Sequence, residues 1–283
     1  MFYVVRHQAD INHITGDVHY GILACRRRSI NVLTIHDCVM LTRLAPGSLR
    51  YRILKWLWYD LPVKKADIVT VISENTKKEL LEYTKCDPEK IRVITNFVDP
   101  AFVPSPASFN AERPRILFVG VTPNKNLIRL AEAMKGLPAE LDIIGTATPD
   151  QAKALDGNGI SWAQSAHLSA EEVRRKYIDA DMLAFPSIYE GFGLPIVEAQ
   201  ATGRPVLTSA LSPMRDVAGT GACLVDPYSV DSIRDGIRKI IADGDYRKSL
   251  VEEGYKNVKR FRLEEIAGQY ATLYRQMILK KSK

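Results

Sequence analysis

Residues Met182-Leu-Ala-Phe-Pro-Ser-Ile-Tyr-Glu-Gly-Phe-Gly-Leu-Pro-Ile-Val-Glu198 pass from a short apolar run through a glycine loop into a helical pattern. Met182 to Pro186 has the length and composition of a buried strand. Pro195 suits the first turn of a helix, where its missing N–H costs nothing. Gly191 and Gly193 are expected to supply positive φ and to let a ligand approach the backbone closely. The N–H groups around Leu194 and Ile196 are expected to be free, so that an anion placed there gains hydrogen bonds and the helix dipole. Glu190 precedes the loop and Glu198 lies about one turn into the helix, which lets two carboxylates face one crevice at different depths.

The same strand-then-helix unit repeats on either side. Apolar runs at residues 115–119, 141–144, 159–163, 182–186, 205–209 and 222–225 alternate with helical stretches, the pattern of a doubly wound parallel sheet. Ahead of them, residues 30–35, 66–72 and 90–95 give three further β-branched runs. Between the two sets, residues 100–114 hold four prolines and little periodicity, as an interdomain linker does. Residues 229–281 are helical almost throughout, with breaks near Asp243–Asp245 and Phe261. The expected domains are therefore 1–105, 106–262, and a last helix, 263–283. Ligands of such sheets sit where strand carboxyl ends meet helix N-termini, which directs attention to the loops after the strands.

Hydrophobic residues make up 46% of the 283 and charged residues 25%, enough to bury one or two ordinary cores. The first ten residues include Arg6, His7 and Asp10 rather than a signal-peptide core, and no apolar run approaches the roughly 20 residues of a membrane span. A cytoplasmic chain is expected, with contact on the inner face of a membrane as its one departure. The net charge of +6 sits in residues 1–65, where ten Lys/Arg meet four Asp/Glu, while the rest balances at 29 to 29. Arg50, Arg52, Lys55, Trp56, Trp58, Tyr59, Lys64 and Lys65 mix cations with aromatics, as a helix resting on anionic headgroups would. A helix with core tryptophans and a solvated basic face explains the same residues and is favoured; nucleic acid is not expected, since no binding motif accompanies the charge. Cys25, Cys38, Cys86 and Cys223 are scattered and read as buried thiols.

On the residues quoted above, the chain resembles the retaining glycosyltransferases of the GT-B fold, family four, whose signature is two glutamates separated by seven residues. Here these are Glu190 and Glu198, followed by Ala199-Gln-Ala-Thr-Gly-Arg-Pro-Val206. The resemblance implies two Rossmann-like α/β domains, with a C-terminal helix crossing back. By resemblance Glu190 contacts the donor sugar, Glu198 binds the ribose hydroxyls, and the backbone of Gly191, Phe192, Gly193 and Leu194 holds the sugar and diphosphate. Phe118-Val-Gly-Val-Thr-Pro-Asn-Lys-Asn126 matches the family's strand-to-loop segment, placing Gly120 and Thr122 beside the donor and Lys125 on its diphosphate. A fixed cation there helps a leaving group that gains negative charge. The family's usual nearby arginine is replaced by Val121 and Asn124. Val32-Leu-Thr-Ile-His-Asp37 resembles the strand whose terminal histidine, His36, positions a hydroxyl or the sugar's C6 oxygen. Residues 71–75 and 93–99 match further family segments, with Phe97 where a glycine is usual.

The family's opening strand and glycine-rich loop have no counterpart, so the N-terminal domain is expected to be incomplete, with a partner chain as one way of completing it. The implied reaction moves a hexose, mannose-like, from a nucleotide-diphosphate sugar to a glycan or lipid-linked acceptor, with no cofactor and no metal. A metal-dependent transferase would need an Asp-x-Asp motif, and Asp179-Ala-Asp181 is formally one, though at a strand's start it lies on the wrong side of the sheet for a ligand. The rival from another class is a non-catalytic sugar-nucleotide-binding or partner subunit, and a third reading is a sugar-nucleotide epimerase.

Overall fold

A computed structural model describes residues 2–42 and 44–281; Met1 and Arg43 of the expected first domain, and Ser282 and Lys283 of the expected last helix, lie outside the described residues. The chain divides into two compact units, one formed by the residues up to Asn96 together with those from Glu264 on, the other by Phe97–Leu263.

The first unit is built on a four-stranded parallel sheet in the order β1-β2-β3-β4, comprising Ile11–Ile14, Ile30–Ile35, Ile68–Val71 and Ile91–Val93. Three of these were expected; β1 was not, because Ile-Asn-His-Ile lacks an apolar pattern. Its polar side chains are satisfied internally instead. Asn12 donates to Asn31 Oδ1 (3.1 Å), and the His13 ring nitrogens lie 2.6 Å from Thr34 Oγ1 and 2.7 Å from Tyr274 Oη. Tyr274 belongs to helix Leu263–Lys281, which crosses back onto this unit. Ile266, Tyr270, Leu273 and Met277, one stripe at helical spacing, pack with Ile68 and Ile94.

Helix Leu49–Lys55 opens on a Ser48 cap and runs through a π-helical turn, Trp56–Asp60, into helix Leu61–Lys65. Tyr59 is buried, and Trp58 packs edge-on against Tyr20 while its indole N–H donates to the Asp17 carbonyl. Trp56 departs from the expected core tryptophan: it is 53% exposed, with Leu49 (73%) and Ile53 (47%) on the same helical stripe. Among the described residues, no helix is long and apolar enough to cross a membrane.

The second unit holds a six-stranded parallel sheet. Its strands are β5 (Arg115–Val119), β6 (Glu140–Ile144), β7 (Ser161–Ser165), β8 (Met182–Phe185), β9 (Val206–Ser209) and β10 (Cys223–Val225), in the order β10-β9-β8-β5-β6-β7. β8 and β9 are buried along their whole length and β5 and β6 through their middles, which is why these four read as apolar runs rather than alternating ones, whereas the edge strand β7, Ser-Trp-Ala-Gln-Ser, is largely exposed. Ile116, Phe118, Leu141, Ile143, Met182 and Ala184 join one core with Leu127, Leu130, Ile233 and Ile237 of two helices. From β5 the chain winds outward through β6 to β7, then returns to place β8 on the other side of β5. The strand order reverses between β5 and β8, and the crevice at their carboxyl ends is the place where such sheets bind ligands.

The units part at Asn96/Phe97, ahead of the expected 105/106 boundary. The proline-rich segment is tied to the second unit: Val98 N–H donates to Phe261 O (2.9 Å), Ser105 N–H to Thr202 O (3.1 Å), and Arg204 to Ser105 O (2.8 Å).

Candidate active site

Both loops that leave the reversal point carry the residues singled out from sequence. After β5, Gly120 turns the chain with φ of 85°, and a Cβ there would lie 3.0 Å from Lys125 Cε, so the lysine stem lies directly over this glycine. Thr122, exposed at the loop tip, accepts the Lys125 N–H (2.8 Å) and closes a 3-10 turn over Pro123–Lys125. Asn126 then takes the left-handed conformation (φ 71°), and its buried amide donates to Pro186 O (3.0 Å) and Pro227 O (2.7 Å). Asn124 donates to Tyr189 O (2.9 Å) and accepts from Ile188 N–H (2.8 Å). The loop after β5 is thereby laced to the loop after β8.

This lacing brings Lys125 Nζ to 2.8 Å from Glu190 Oε1, with the side chains only 17% and 13% exposed. The contact is a charge pair rather than an aligned hydrogen bond, since Glu190 Oε1 has no partner of hydrogen-bond geometry among the described residues. The ammonium also stands 4.5 Å from the Phe185 ring centroid. Two residues 65 positions apart in sequence therefore form one electrostatic unit at the carboxyl ends of β5 and β8.

Of the two loop glycines it is Gly193 that takes positive φ (106°), immediately before helix Leu194–Thr202 with Pro195 in its first turn. Two expectations are corrected here, the positive φ of Gly191 and the free N–H of Ile196. The Ile196 N–H is not free, because the first turn is tight enough for it to donate to Gly193 O (3.0 Å). The Phe192 side chain is 3% exposed and packs edge-to-face on Phe261 at 5.5 Å, leaving its backbone, the part expected to serve the site, beside Gly191 and Gly193. Leu194 is 36% exposed at the helix tip.

Glu198, one turn in, accepts a 2.6 Å hydrogen bond from the Tyr177 hydroxyl. Burial pushes the Glu198 carboxyl above the usual carboxylate range, with the Tyr177 bond opposing and the charge of Asp99 adding to the rise. Tyr177 is fully buried, and burial, then the neighbouring Glu198 charge, push its hydroxyl upward, so it is the donor of the pair. Tyr177, on helix Ala170–Asp179, and Asn126 are site residues that the sequence did not disclose. An asparagine preceding a helix was a signal for the second, whereas nothing local marks the first.

Asp181, half of the formal Asp-x-Asp motif, is occupied as a backbone anchor: its carboxylate accepts the N–H groups of Asn110 (2.8 Å) and Arg115 (2.7 Å). Asp179 pairs with Arg175 at 3.2 Å on the helix surface. His36 belongs to the first unit, where it directly follows β2 at its carboxyl end; it is half-buried, and its carbonyl accepts the Thr76 hydroxyl (3.3 Å).

The Escherichia coli serotype-specific mannosyltransferase WbdA is 26% identical over 213 residues, covering 66% of this chain and 26% of that protein. The chain spans about a quarter of the length of the Escherichia coli mannosyltransferases it matches. Sucrose-phosphate synthase from Thermosynechococcus elongatus superposes with a TM-score of 0.76 at 23% identity, over 89% of this chain and 69% of that one. The HepE protein of Anabaena, solved with UDP and glucose, superposes with a TM-score of 0.78 at 16% identity, over 96% of this chain and 80% of that one. These structures share the GT-B fold. The glycosyltransferase family 4 model matches residues 2–102, and the model for glycosyl transferases group 1 matches residues 104–257, across the whole of the loop constellation described above: the chain belongs to the group 1 glycosyltransferases.

Proposed function

We propose that the chain transfers a hexose, with mannose favoured, from a nucleotide-diphosphate sugar to a glycan or lipid-linked acceptor, with retention of anomeric configuration. The observation that carries this reading is the Lys125–Glu190 pair, 2.8 Å apart beside the Gly193–Leu194 helix tip at the strand-order reversal. A diphosphate entering there meets the ammonium and the positive end of the helix, and the carboxylate is released from its partner to hold a sugar hydroxyl. As the glycosidic bond breaks, charge grows on the leaving phosphate beside Lys125, where a fixed cation lowers the barrier. Leaving-group departure precedes acceptor attack on the same face, and no protein nucleophile takes part. Glu198, oriented by Tyr177, would hold the ribose hydroxyls, and His36 is assigned the C6 oxygen or a neighbouring hydroxyl. The mannosyltransferase names of several relatives support the choice of sugar.

Contact with an anionic membrane is part of the same proposal, supported by the exposed stripe of Leu49, Ile53 and Trp56 among Arg50, Arg52 and Lys64. The test of the transfer reaction is Glu190→Gln: turnover with a GDP- or UDP-hexose is expected to fall about 100-fold or more, with the melting temperature kept. Unchanged turnover removes Glu190 from the reaction. Donor binding with neither transfer nor slow donor hydrolysis in the unaltered protein favours the non-catalytic subunit instead.

A further inference from the structure

The first unit has a cavity of about 440 Å³ lined by Lys55, Lys64, Lys85, Lys90, Asp60 and Asp87, with Thr84 and Cys86 between them. It lies at the amino ends of β3 and β4, since Ala66 and Lys90 precede those strands, and so at the opposite edge of the sheet from His36. Its two acids already have partners. Asp60 takes both its oxygens' bonds from Lys55 (2.7 and 2.9 Å), and Asp87 Oδ1 accepts the Glu89 N–H (2.9 Å) at the start of a 3-10 turn. Lys90 spends one ammonium donor on Ala66 O (3.0 Å), which fixes it on the cavity floor with two donors to spare. Lys64 and Lys85 are exposed and have neither ion pair nor hydrogen bond among the described residues.

With Asp60 neutralised by Lys55, the ammonium groups of Lys64, Lys85 and Lys90 face the single remaining carboxylate of Asp87, so the concavity keeps a net positive charge, and a concave wall strengthens its field. The complementary group carries negative charge and several acceptor oxygens on a compact centre, which is a phosphate ester; lysine recognises it as a point charge without demanding planarity. We propose that this lysine cleft binds the phosphate of a phosphate ester, at a site separate from the one that would hold the donor diphosphate. Two sources share that chemistry, a lipid headgroup and a soluble phosphate ester, and they are told apart by experiment.

The full chain is titrated with glycerol 3-phosphate by calorimetry, and with vesicles of phosphatidylcholine containing or lacking phosphatidylglycerol by co-sedimentation. Lys64→Gln with Lys85→Gln is expected to weaken binding on the order of tenfold or more, and both positions are exposed enough for the fold to survive. Lys125→Gln, which alters the other phosphate site, is expected to leave it within about twofold. Arg26→Gln with Arg27→Gln removes the same charge outside both the cleft and the membrane-facing stripe and is expected to do clearly less. Binding to glycerol 3-phosphate supports the cleft with a soluble source; binding only to phosphatidylglycerol vesicles, with the same variant pattern, supports it with a lipid source. No binding in either arm, binding lost with Lys125 rather than with the cleft lysines, or equal loss in the lysine and arginine variants overturns the proposal.

Discussion

At the scale of single residues, the proposed donor site rests on two carboxylates with different attachments. Glu190 faces a cation across a loop, whereas Glu198 is held by a neutral, buried phenol. The difference separates their effects. Tyr177→Phe leaves the ring's packing against Phe102 but removes the 2.6 Å bond, so the Glu198 carboxyl loses the interaction that opposes its rise. The carboxyl should then be harder to ionise and less well oriented. Donor affinity is expected to weaken severalfold, with stability falling by about 1 kcal/mol for the lost hydrogen bond. Turnover at saturating donor should change little, which distinguishes Tyr177 from Glu190. Measuring KM and kcat separately for the two variants decides it: an unchanged KM in Tyr177→Phe would mean that Glu198 has no part in holding the donor.

At the scale of elements, what the sequence disclosed depended on whether a segment's physics was local. Residues 115–119 and 182–186 are apolar because both their faces are covered, and that requirement is written in consecutive residues. The turn at Gly193 and the helix break at Asp243 are likewise local backbone chemistry. β1 stayed hidden because its polar residues are satisfied by partners 19 to 261 positions away, and the burial of the Phe192 ring was not legible because Phe261, its packing partner, is remote. The junction of β1 with helix Leu263–Lys281 also makes a pH prediction. Burial pushes His13 down from 6.5 to about 4, between the hydroxyls of Thr34 and Tyr274 and beside Tyr270. The unfolded chain therefore takes up a proton near pH 6.5 while the folded chain resists until about pH 4. Across that window the unfolded state binds more protons, so this residue's contribution is complete above pH 6.5 and is lost as pH falls toward 4. The loss is roughly 2 kcal/mol after discounting for partial exposure. Urea midpoints at pH 7 and pH 5 should differ more in the unaltered protein than in His13→Gln; equal differences would place the proton elsewhere.

At the scale of the whole molecule, the division at Asn96/Phe97 puts Gly120, Thr122, Lys125, the 190–194 loop and Glu198 all inside Phe97–Leu263. A nucleotide sugar can therefore be gripped by one unit's own loops, and its binding has a predicted footprint that does not depend on how the other unit responds. The six-stranded sheet offers two ends. At the carboxyl end lie the loops 120–126 and 186–197, laced by Asn124 and Asn126. At the amino end lies a second cavity, of about 390 Å³, framed by Phe109, Arg204, Arg247 and Tyr255. Arg204 there is committed to the carbonyls of Tyr177, Ile178 and Ser105, and Arg247 donates to those of Ile240 and Ile241 while lying over the Phe109 ring, so two of its three cations are spent on structure and the third, Lys248, shares the cavity with the carboxylates of Asp181 and Glu252. A diphosphate should consequently choose the carboxyl end. On adding a nucleotide hexose at about 100 times its dissociation constant, the folded state gains about 2.7 kcal/mol. Amide exchange should slow across residues 120–126 and 186–197 and stay unchanged across 106–109 and 203–205. Slowing confined to the second set would mean that the donor enters from the wrong side of the sheet, and the roles assigned to Lys125 and Glu190 would fall with it.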